Sequence, residues 1–331
     1  MTYSTTKKLR SFYSCFPNDA HVLILINADP DAIASAMAVK RLLWRKVAST
    51  TIASVNIVER PDNIALIQLL GVKLKPLNEI DTDRYSRVVI VDSQPSHHET
   101  FLKFRADVVI DHHPETGLKA LYQDIRPRYG ATASILTEYL RSAKIKPSAK
   151  LATGLFCAIK TDTSNFERKT LSEDLKAFQF LFRHANIHLA RKIEQADLRL
   201  DFLKHFKDAL LTMRINRSRI FVNLGPVGNG DVCVLIADFF MRVHSITWSI
   251  VAGSCENKLI IVFRNDGLRK DAGKVAAKAF GRLGSAGGHK SMARAEILLP
   301  DIRALVDHKD EKRMLSWIVG QIEKKAGRGI K

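Results

Sequence analysis

Three short apolar runs in the first third of this 331-residue chain each lead into acidic residues. Val22–Ile26 is followed by Asp29 and Asp31, Val88–Val91 by Asp92, and Val108–Ile110 by Asp111, His112 and His113. Near-continuous apolar runs of this length read as strands covered on both faces, the condition of a parallel sheet. Open parallel sheets place their ligands beyond the carboxyl ends of their strands, so these side chains are expected on one edge. Pro30 fixes its own φ and holds Asp29 extended, which points the carboxylates of Asp29 and Asp31 to the same side. Side by side they repel unless a cation sits between them. The plainer alternatives are that Asp31 only caps a helix starting at Ala32, with Asp29 in solvent, and that Asp92 is a turn residue. Asp-His-His directly after a buried strand is harder to explain that way, because polar groups there are expensive without a role. Asp162, after the apolar helical stretch Leu151–Ile159, can add a further carboxylate. Hard oxygens with one imidazole suit Mn²⁺ or Mg²⁺ better than zinc. In a basic protein such a site points to phosphoryl chemistry, in which the cation clamps a phosphate and acidifies a water.

The elements that must position these groups alternate in the manner of an α/β parallel sheet. His21–Asn27, Thr51–Val55, Arg87–Val91 and Asp107–Ile110 are expected strands; Ala32–Leu43, Asp62–Leu70 and a helix from Gly130 to Tyr139 are expected helices. From Lys150 to about Arg214 the pattern is helical throughout. Strand character returns at Arg219–Asn223, Val232–Ala237, Ser245–Val251 and Lys258–Arg264, suggesting a four-stranded second sheet. A helix at Lys270–Arg282, a Gly-rich stretch, a strand near Ala293–Leu298 and a basic helix over Lys309–Lys331 complete the chain, the last with Met314, Trp317, Ile318 and Ile322 on one side. The expected domains are 1–205 and 206–331.

Composition bounds the function classes. Fifty-two Lys and Arg against 34 Asp and Glu leave a formal charge of +18, which favours anionic partners without naming one. No apolar run approaches the ~20 residues a membrane helix requires. The four cysteines lack CxxC spacing and fit reduced thiols, so a cytoplasmic protein is expected. His97 and His98 read as solvated residues at a surface helix start, and His184 and His188 as a helix surface rather than a metal pair.

The ordered strings Asn27-Ala28-Asp29-Pro30-Asp31-Ala32-Ile33-Ala34-Ser35, Val91-Asp92-Ser93, Ile110-Asp111-His112-His113-Pro114, Tyr129-Gly130-Ala131-Thr132-Ala133 and Thr161-Asp162-Thr163 resemble the motifs of the DHH phosphoesterase superfamily. Phe263-Arg264-Asn265 and Gly284-Ser285-Ala286-Gly287-Gly288-His289-Lys290 resemble its DHH-associated C-terminal domain, its strand-end arginine and its Gly-Gly-His loop. The resemblance implies an α/β fold in which a parallel-sheet DHH domain joins through helices to a smaller α/β domain, with the active site in a cleft between them. Within the superfamily, the length and two-domain arrangement resemble the branch of oligoribonucleases and 3′-phosphoadenosine-5′-phosphate phosphatases.

By that resemblance Asp29, Asp31, Asp92, His112 and Asp162 would be metal ligands, Asp111 and His113 catalytic, and Arg264, Gly287, Gly288 and His289 substrate-binding. Short single-stranded RNA or DNA, or a nucleotide phosphate, would be the substrate; no membrane partner is implied, and a homodimer is open. Family members usually carry a histidine ligand four residues before the first aspartate, where this chain has Leu25. One firmly bound Mn²⁺ or Mg²⁺ and a weak or absent second ion are therefore expected. Arg294 stands where small residues are common; it adds charge that either alters substrate preference or merely sits on a strand's open face. Competing expectations are a non-catalytic nucleotide or nucleic-acid binding module with a degenerate metal site, and a cyclic-dinucleotide phosphodiesterase.

Overall fold

The alternation of apolar runs and amphipathic stretches in the first half builds one parallel sheet. The computed structural model describes residues 3–58, 60–117, 119–167, 170–195, 200–307 and 310–323. The chain divides into two units, Met1–Asp197 and Leu198–Lys331. The first contains α1 (Tyr3–Tyr13), β1 (His21–Ile26), α2 (Pro30–Leu42), β2 (Ser49–Ser54), α3 (Pro61–Leu70), β3 (Leu74–Pro76), β4 (Arg87–Val91), β5 (Val108–Asp111), β6 (Tyr122–Ile125), α4 (Thr132–Ser142), α5 (Ala149–Asp162), α6 (Ser172–Phe182) and α7 (Ile187–Glu194). Its six strands are all parallel, in the order β3-β2-β1-β4-β5-β6. The chain winds outward from β1 to β3 and then returns to β4 on the other side of β1. The carboxyl ends of β1 and β4 thus flank the topological switch point, where such sheets open a crevice.

Strand β1 explains why the run looked apolar throughout. Val22, Ile24 and Ile26 join a core with residues of α2, α4 and α5, while Leu23 and Leu25 join a separate layer with Ala53, Ile90, Phe101 and Val109. Alternate side chains leave a strand on opposite faces, so both layers need an apolar partner. Leu25 is fully buried in that second layer.

The second unit contains α8 (Leu200–Thr212), β7 (Arg214–Asn216), β8 (Arg219–Pro226), α9 (Asp231–Phe240), β9 (Trp248–Cys255), β10 (Lys258–Asn265), α10 (Ala272–Phe280), β11 (Ser285–Gly288), β12 (Met292–Leu298), α11 (Leu299–Ile302) and α12 (Glu311–Glu323). Its sheet runs β11-β12-β10-β9-β8-β7, antiparallel except for the parallel pair β8–β9. One face, with Phe221, Ile250, Ile261 and Phe263, packs on residues of α10 and α12; the other, with Ile220, Val222, Val251 and Val262, packs on residues of α8 and α9.

Several expectations are corrected. The Val232–Ala237 run is helix α9, not a strand: Asn229 Oδ1 accepts from the backbone N–H groups of Asp231 and Val232 and starts the helix, which then buries most of its residues. The second sheet has six strands rather than four, because β7 and the edge pair β11–β12 extend it. The Gly-rich stretch is partly strand β11, paired antiparallel with β12. The two units divide between residues 197 and 198, and α8 packs on the second sheet through Phe202 and Ala209. Of the terminal basic stretch, Glu311–Glu323 is helical; Lys309 and residues 324–331 lie outside the described residues.

Candidate metal centre

The strand ends bring their acidic residues together at the switch point. Asp29 follows β1 and caps α2, its Oδ1 accepting from the Ala32 N–H at 2.9 Å. Asp31 lies inside the first turn of α2, fully buried. Its Oδ1 and Oδ2 accept from the Ala133 and Thr132 N–H groups at 2.8 and 2.6 Å, and Oδ1 also accepts from Ser35 Oγ at 3.2 Å. The capping roles therefore differ from the plain reading: Asp29 caps the adjacent helix, and Asp31 takes the free amides at the N-terminus of α4, where the helix dipole favours an anion. Asp92 ends β4 in the left-handed region, with φ 58°, a conformation that Asp and Asn tolerate best among residues with side chains. Its Oδ1 accepts from Thr132 Oγ1 at 2.7 Å.

His112 leaves the end of β5 and faces this group. Its Nδ1 lies 3.2 Å from the Tyr129 carbonyl, a contact that makes Nδ1 the donor and turns Nε2 toward the carboxylates. Nε2 sits 3.1 Å from Asp162 Oδ2 and 3.5 Å from Asp92 Oδ1, buried, yet not aligned as a hydrogen bond to either. Asp162, the last residue of α5, completes the set. Ligand atoms of Asp31, His112 and Asp162 all lie within 4.8 Å of one another, as do those of Asp92, His112 and His113. Three of the carboxylates expected as ligands, those of Asp31, Asp92 and Asp162, thus gather about His112, while Asp29 caps α2 beside them.

The electrostatics follow from this crowding. Burial, then the nearby Asp162 charge, pushes the Asp29 carboxyl up to about 6 and that of Asp31 up to about 7. Burial, followed by the charges of Asp31 and Asp29, raises Asp92 well above the usual carboxylate range. Burial lowers the His112 imidazole, but the carboxylates of Asp162 and Asp31 outweigh it and raise the imidazole to about 9. Several carboxylates in apolar surroundings, served by one imidazolium, leave a deficit of positive charge. A buried Nε2 that closes no aligned hydrogen bond, set among hard oxygen donors, fits a divalent cation of the Mn²⁺ or Mg²⁺ type.

Beside this cluster lies a second arrangement. Asp111 is fully buried and committed at both oxygens: Oδ1 is 2.8 Å from His113 Nδ1 and accepts from the His112 N–H, and Oδ2 accepts from Gln94 Nε2 at 2.7 Å. Asp111 therefore orients His113, whose side chain stays half-exposed, and does not itself face outward. His97, read as a solvated surface residue, belongs here. Its Nδ1 accepts from the Gln94 N–H at 3.2 Å, and its ring meets that of His113 edge-on at 5.5 Å. Sequence reasoning also missed Gln94 and Thr132. Both lie in or next to a quoted motif, but their roles depend on contacts with residues 17 and 40 positions away.

In the second unit, Arg264 donates from Nε to Asp238 Oδ1 at 2.6 Å and from Nη1 to the Phe263 carbonyl at 3.1 Å. Gly287 and Gly288 end β11. Gly288 has φ 145°, and a Cβ there would lie 2.4 Å from the Met292 carbonyl oxygen, so the fold itself requires glycine. At Gly287 a Cβ would meet nothing within 4 Å, leaving open space over the backbone. The His289 N–H donates to the Met292 carbonyl at 2.7 Å.

Comparison with known proteins bears on the family and the fold. Residues 21–159 match the family model described as DHH family, N-terminal domain. An uncharacterized protein of Methanocaldococcus jannaschii is 35% identical over 295 residues, covering 89% of this chain but 61% of that relative, so the chain spans about three fifths of its length. Among solved structures, an exopolyphosphatase-related protein from Bacteroides fragilis is 14% identical with TM-score 0.74, covering 98% of this chain and 96% of that one. RecJ from Thermus thermophilus in complex with Mn²⁺ is 12% identical with TM-score 0.53, covering 99% and 55%. At these identities the structural likeness is one of fold.

Proposed function

We propose, from the match of residues 21–159 to the DHH family N-terminal domain model, a metal-dependent phosphoesterase acting on short oligonucleotides or nucleotide phosphates, of the oligoribonuclease and 3′-phosphoadenosine-5′-phosphate phosphatase kind. The observation that carries this reading is the gathering of Asp31, Asp92 and Asp162 about the buried imidazole of His112. These four residues would hold Mn²⁺ or Mg²⁺. Asp29 and Asp92 would serve a weaker second ion, which lacks an imidazole because Leu25 is buried in an apolar layer. When bound, the divalent cation neutralises phosphoryl oxygens and lowers the pKa of a neighbouring water.

The chain's own groups do the rest. Asp31 and Thr132 hold the N-terminus of α4 against the cluster, so the carboxylates keep their separations. Asp111 holds His113 by Nδ1 and leaves Nε2 available to donate a proton to a departing oxygen. Arg264 and the Gly287-Gly288-His289 run would bind a phosphate of the substrate, with Gly287 allowing close backbone approach.

Leu25 favours one competing reading, a nucleotide-binding module whose hydrolytic site has decayed. A manganese-supplemented product assay separates the two. It should cover dinucleotides, 3′-phosphoadenosine 5′-phosphate, cyclic dinucleotides and longer single strands. Turnover of short linear substrates that disappears in Asp92→Asn supports the phosphoesterase, with a metal content near one ion per chain. Binding without turnover on every substrate supports the module.

A further inference from the structure

Gln94 lies just beyond the carboxyl end of β4, fully buried. Its side-chain amide makes every hydrogen bond it can. Nε2 donates to Asp111 Oδ2 at 2.7 Å and to the Pro114 carbonyl at 3.0 Å. Oε1 accepts from the Thr116 N–H at 2.9 Å and from the Thr116 hydroxyl at 2.8 Å. These four bonds fasten the segment 111–116 to the loop after β4. The main chain of the same residue holds His97. The Gln94 N–H donates to His97 Nδ1 at 3.2 Å, and the Gln94 carbonyl accepts from the His97 N–H at 2.9 Å. Gln94 thus sets two imidazoles at once, His113 through Asp111 and His97 through the backbone.

The bond at His97 Nδ1 also decides where that ring keeps its proton. A ring nitrogen that accepts from an N–H offers a lone pair, so the neutral imidazole carries its hydrogen on Nε2. Ser93 Oγ, 3.3 Å from the same Nδ1, favours the same tautomer. Nε2 lies across the ring from Nδ1 and so turns away from the Gln94 turn, and His97 is exposed. His113 is held alike, its Nδ1 on Asp111 and its side chain half-exposed. The two ring centres are 5.5 Å apart with their planes at 80°. At that separation both Nε2 atoms can reach oxygens of one phosphate group. A merely solvated histidine needs neither a fixed tautomer nor a neighbouring imidazole fixed by the same residue. We propose that His97 is a further substrate-binding residue, donating from Nε2 to a non-bridging oxygen of the phosphate whose departing oxygen His113 serves, with Gln94 as the positioning residue for both rings. His113 moves a proton; His97 only holds an oxygen. The inference rests on the phosphoesterase reading.

Two substitutions separate this contact from a structural role for His97. Asparagine keeps an acceptor near the Nδ1 position for the Gln94 N–H and leaves nothing at Nε2, whereas glutamine carries an amide N–H out to the Nε2 position. Calorimetric titration of the Mn²⁺-loaded full chain with AMP reads phosphate binding without turnover. His97→Asn should weaken AMP by about tenfold or more, as expected when a hydrogen bond to a charged group is lost. It should raise KM for a dinucleotide by a similar factor with a far smaller change in kcat, because a non-reacting oxygen is held equally before and during the reaction. Mn²⁺ affinity and melting temperature should stay near wild type, and His97→Gln should recover most of the AMP affinity. The proposal is overturned if wild type does not bind AMP, or if His97→Asn binds it normally. It is equally overturned if His97→Asn loses Mn²⁺ along with AMP, or if both variants bind AMP equally poorly at a lowered melting temperature. Hydrolysis of dinucleotides with AMP binding unchanged in His97→Asn would sink this inference and leave the phosphoesterase standing. AMP binding that depends on His97, in a protein that hydrolyses none of the substrates, would do the reverse.

Discussion

At the scale of single residues, the proposed metal centre crowds buried like charges, an arrangement that costs stability without a cation. Asp92 lies among like charges, in a left-handed backbone conformation, with Thr132 as its hydrogen-bonding neighbour. Asparagine accepts the same hydroxyl and tolerates the same φ, but carries no charge. Asp92→Asn should therefore raise the metal-free melting temperature by the equivalent of roughly 1–3 kcal/mol, since a crowded buried charge is removed. The same change should abolish stabilisation by Mn²⁺; a thermal melt with and without the ion reads both. The neighbouring pair divides along the same line. Because the side-chain partner proposed to carry the chemistry for Asp111 is His113, with its other contact to this pair going to the His112 backbone N–H, Asp111→Asn should lower kcat by about 10²-fold or more, the range of general acid catalysis, and weaken Mn²⁺ far less than loss of the His112 ring does. His112→Ala should instead weaken Mn²⁺ binding, measured by calorimetry. If Asp111→Asn loses the ion and His112→Ala keeps it, the roles are reversed. The Asp29, Asp31, Asp92 and His112 positions were legible because they follow apolar strands, and Asp162 because it follows an apolar helical stretch; Gln94 and His97 were not, because their partners are set by the fold rather than by any local pattern.

At the scale of elements, β6 and α4 hold the His112 side of the site in place. Asp124 of β6 is buried and meets Arg126, Lys8 of α1 and the Tyr139 hydroxyl of α4. Arg126 also donates to Glu138 at 2.8 Å and to the Tyr129 hydroxyl at 3.0 Å, and the Tyr129 carbonyl in turn fixes His112 Nδ1. Burial alone pushes the Asp124 carboxyl up, but the Arg126 guanidinium, Lys8 and the Tyr139 hydroxyl outweigh it and hold it below the usual range. A depressed folded-state pKa means the network's contribution is fully present above the unfolded-state value near ~4 and is lost as pH falls through the folded value. Wild-type protein should thus lose melting temperature more steeply below about pH 4 than Asp124→Asn does, because only the former has this proton to take up. At pH 7 the same variant should be less stable by roughly 3–5 kcal/mol, as expected when a buried ion pair loses one partner. A parallel acid limb in both proteins would exclude the network as its source. Neither β6 nor α1 was legible from sequence: β6 is short and half polar, and α1 is held through Lys8 and Phe12 contacts to distant residues. Helix α9 was misread as a strand because a helix buried on most sides shows no polar stripe, so its period is hidden.

At the scale of the whole molecule, the excess of 18 positive charges must be set against the small number of groups built to hold a substrate. A protein that tracks a long strand neutralises many phosphates, and its affinity falls with salt by about 0.7 logarithmic units per tenfold salt for each phosphate contacted on a single strand. The groups proposed for substrate here are few: the ion held by Asp31, Asp92, His112 and Asp162, then Arg264 and the Gly287-Gly288-His289 run. Arg264 is itself shared with Asp238, which reduces the charge it offers to a phosphate. The remaining Lys and Arg side chains would act through their summed field, which speeds encounter and is screened over about 10 Å at 0.1 M salt, rather than through fixed contacts. The expected slope of log kcat/KM against log salt is therefore shallow, about −1 to −2, for one to three phosphates held, and the same for a dinucleotide as for a longer strand. Equal slopes at both lengths would assign recognition to the chain end and the protein's surface charge to steering. A slope that steepens with each added nucleotide, to about −4 or beyond, would require a continuous basic track and would replace the short-substrate reading with that of a polymer-binding enzyme.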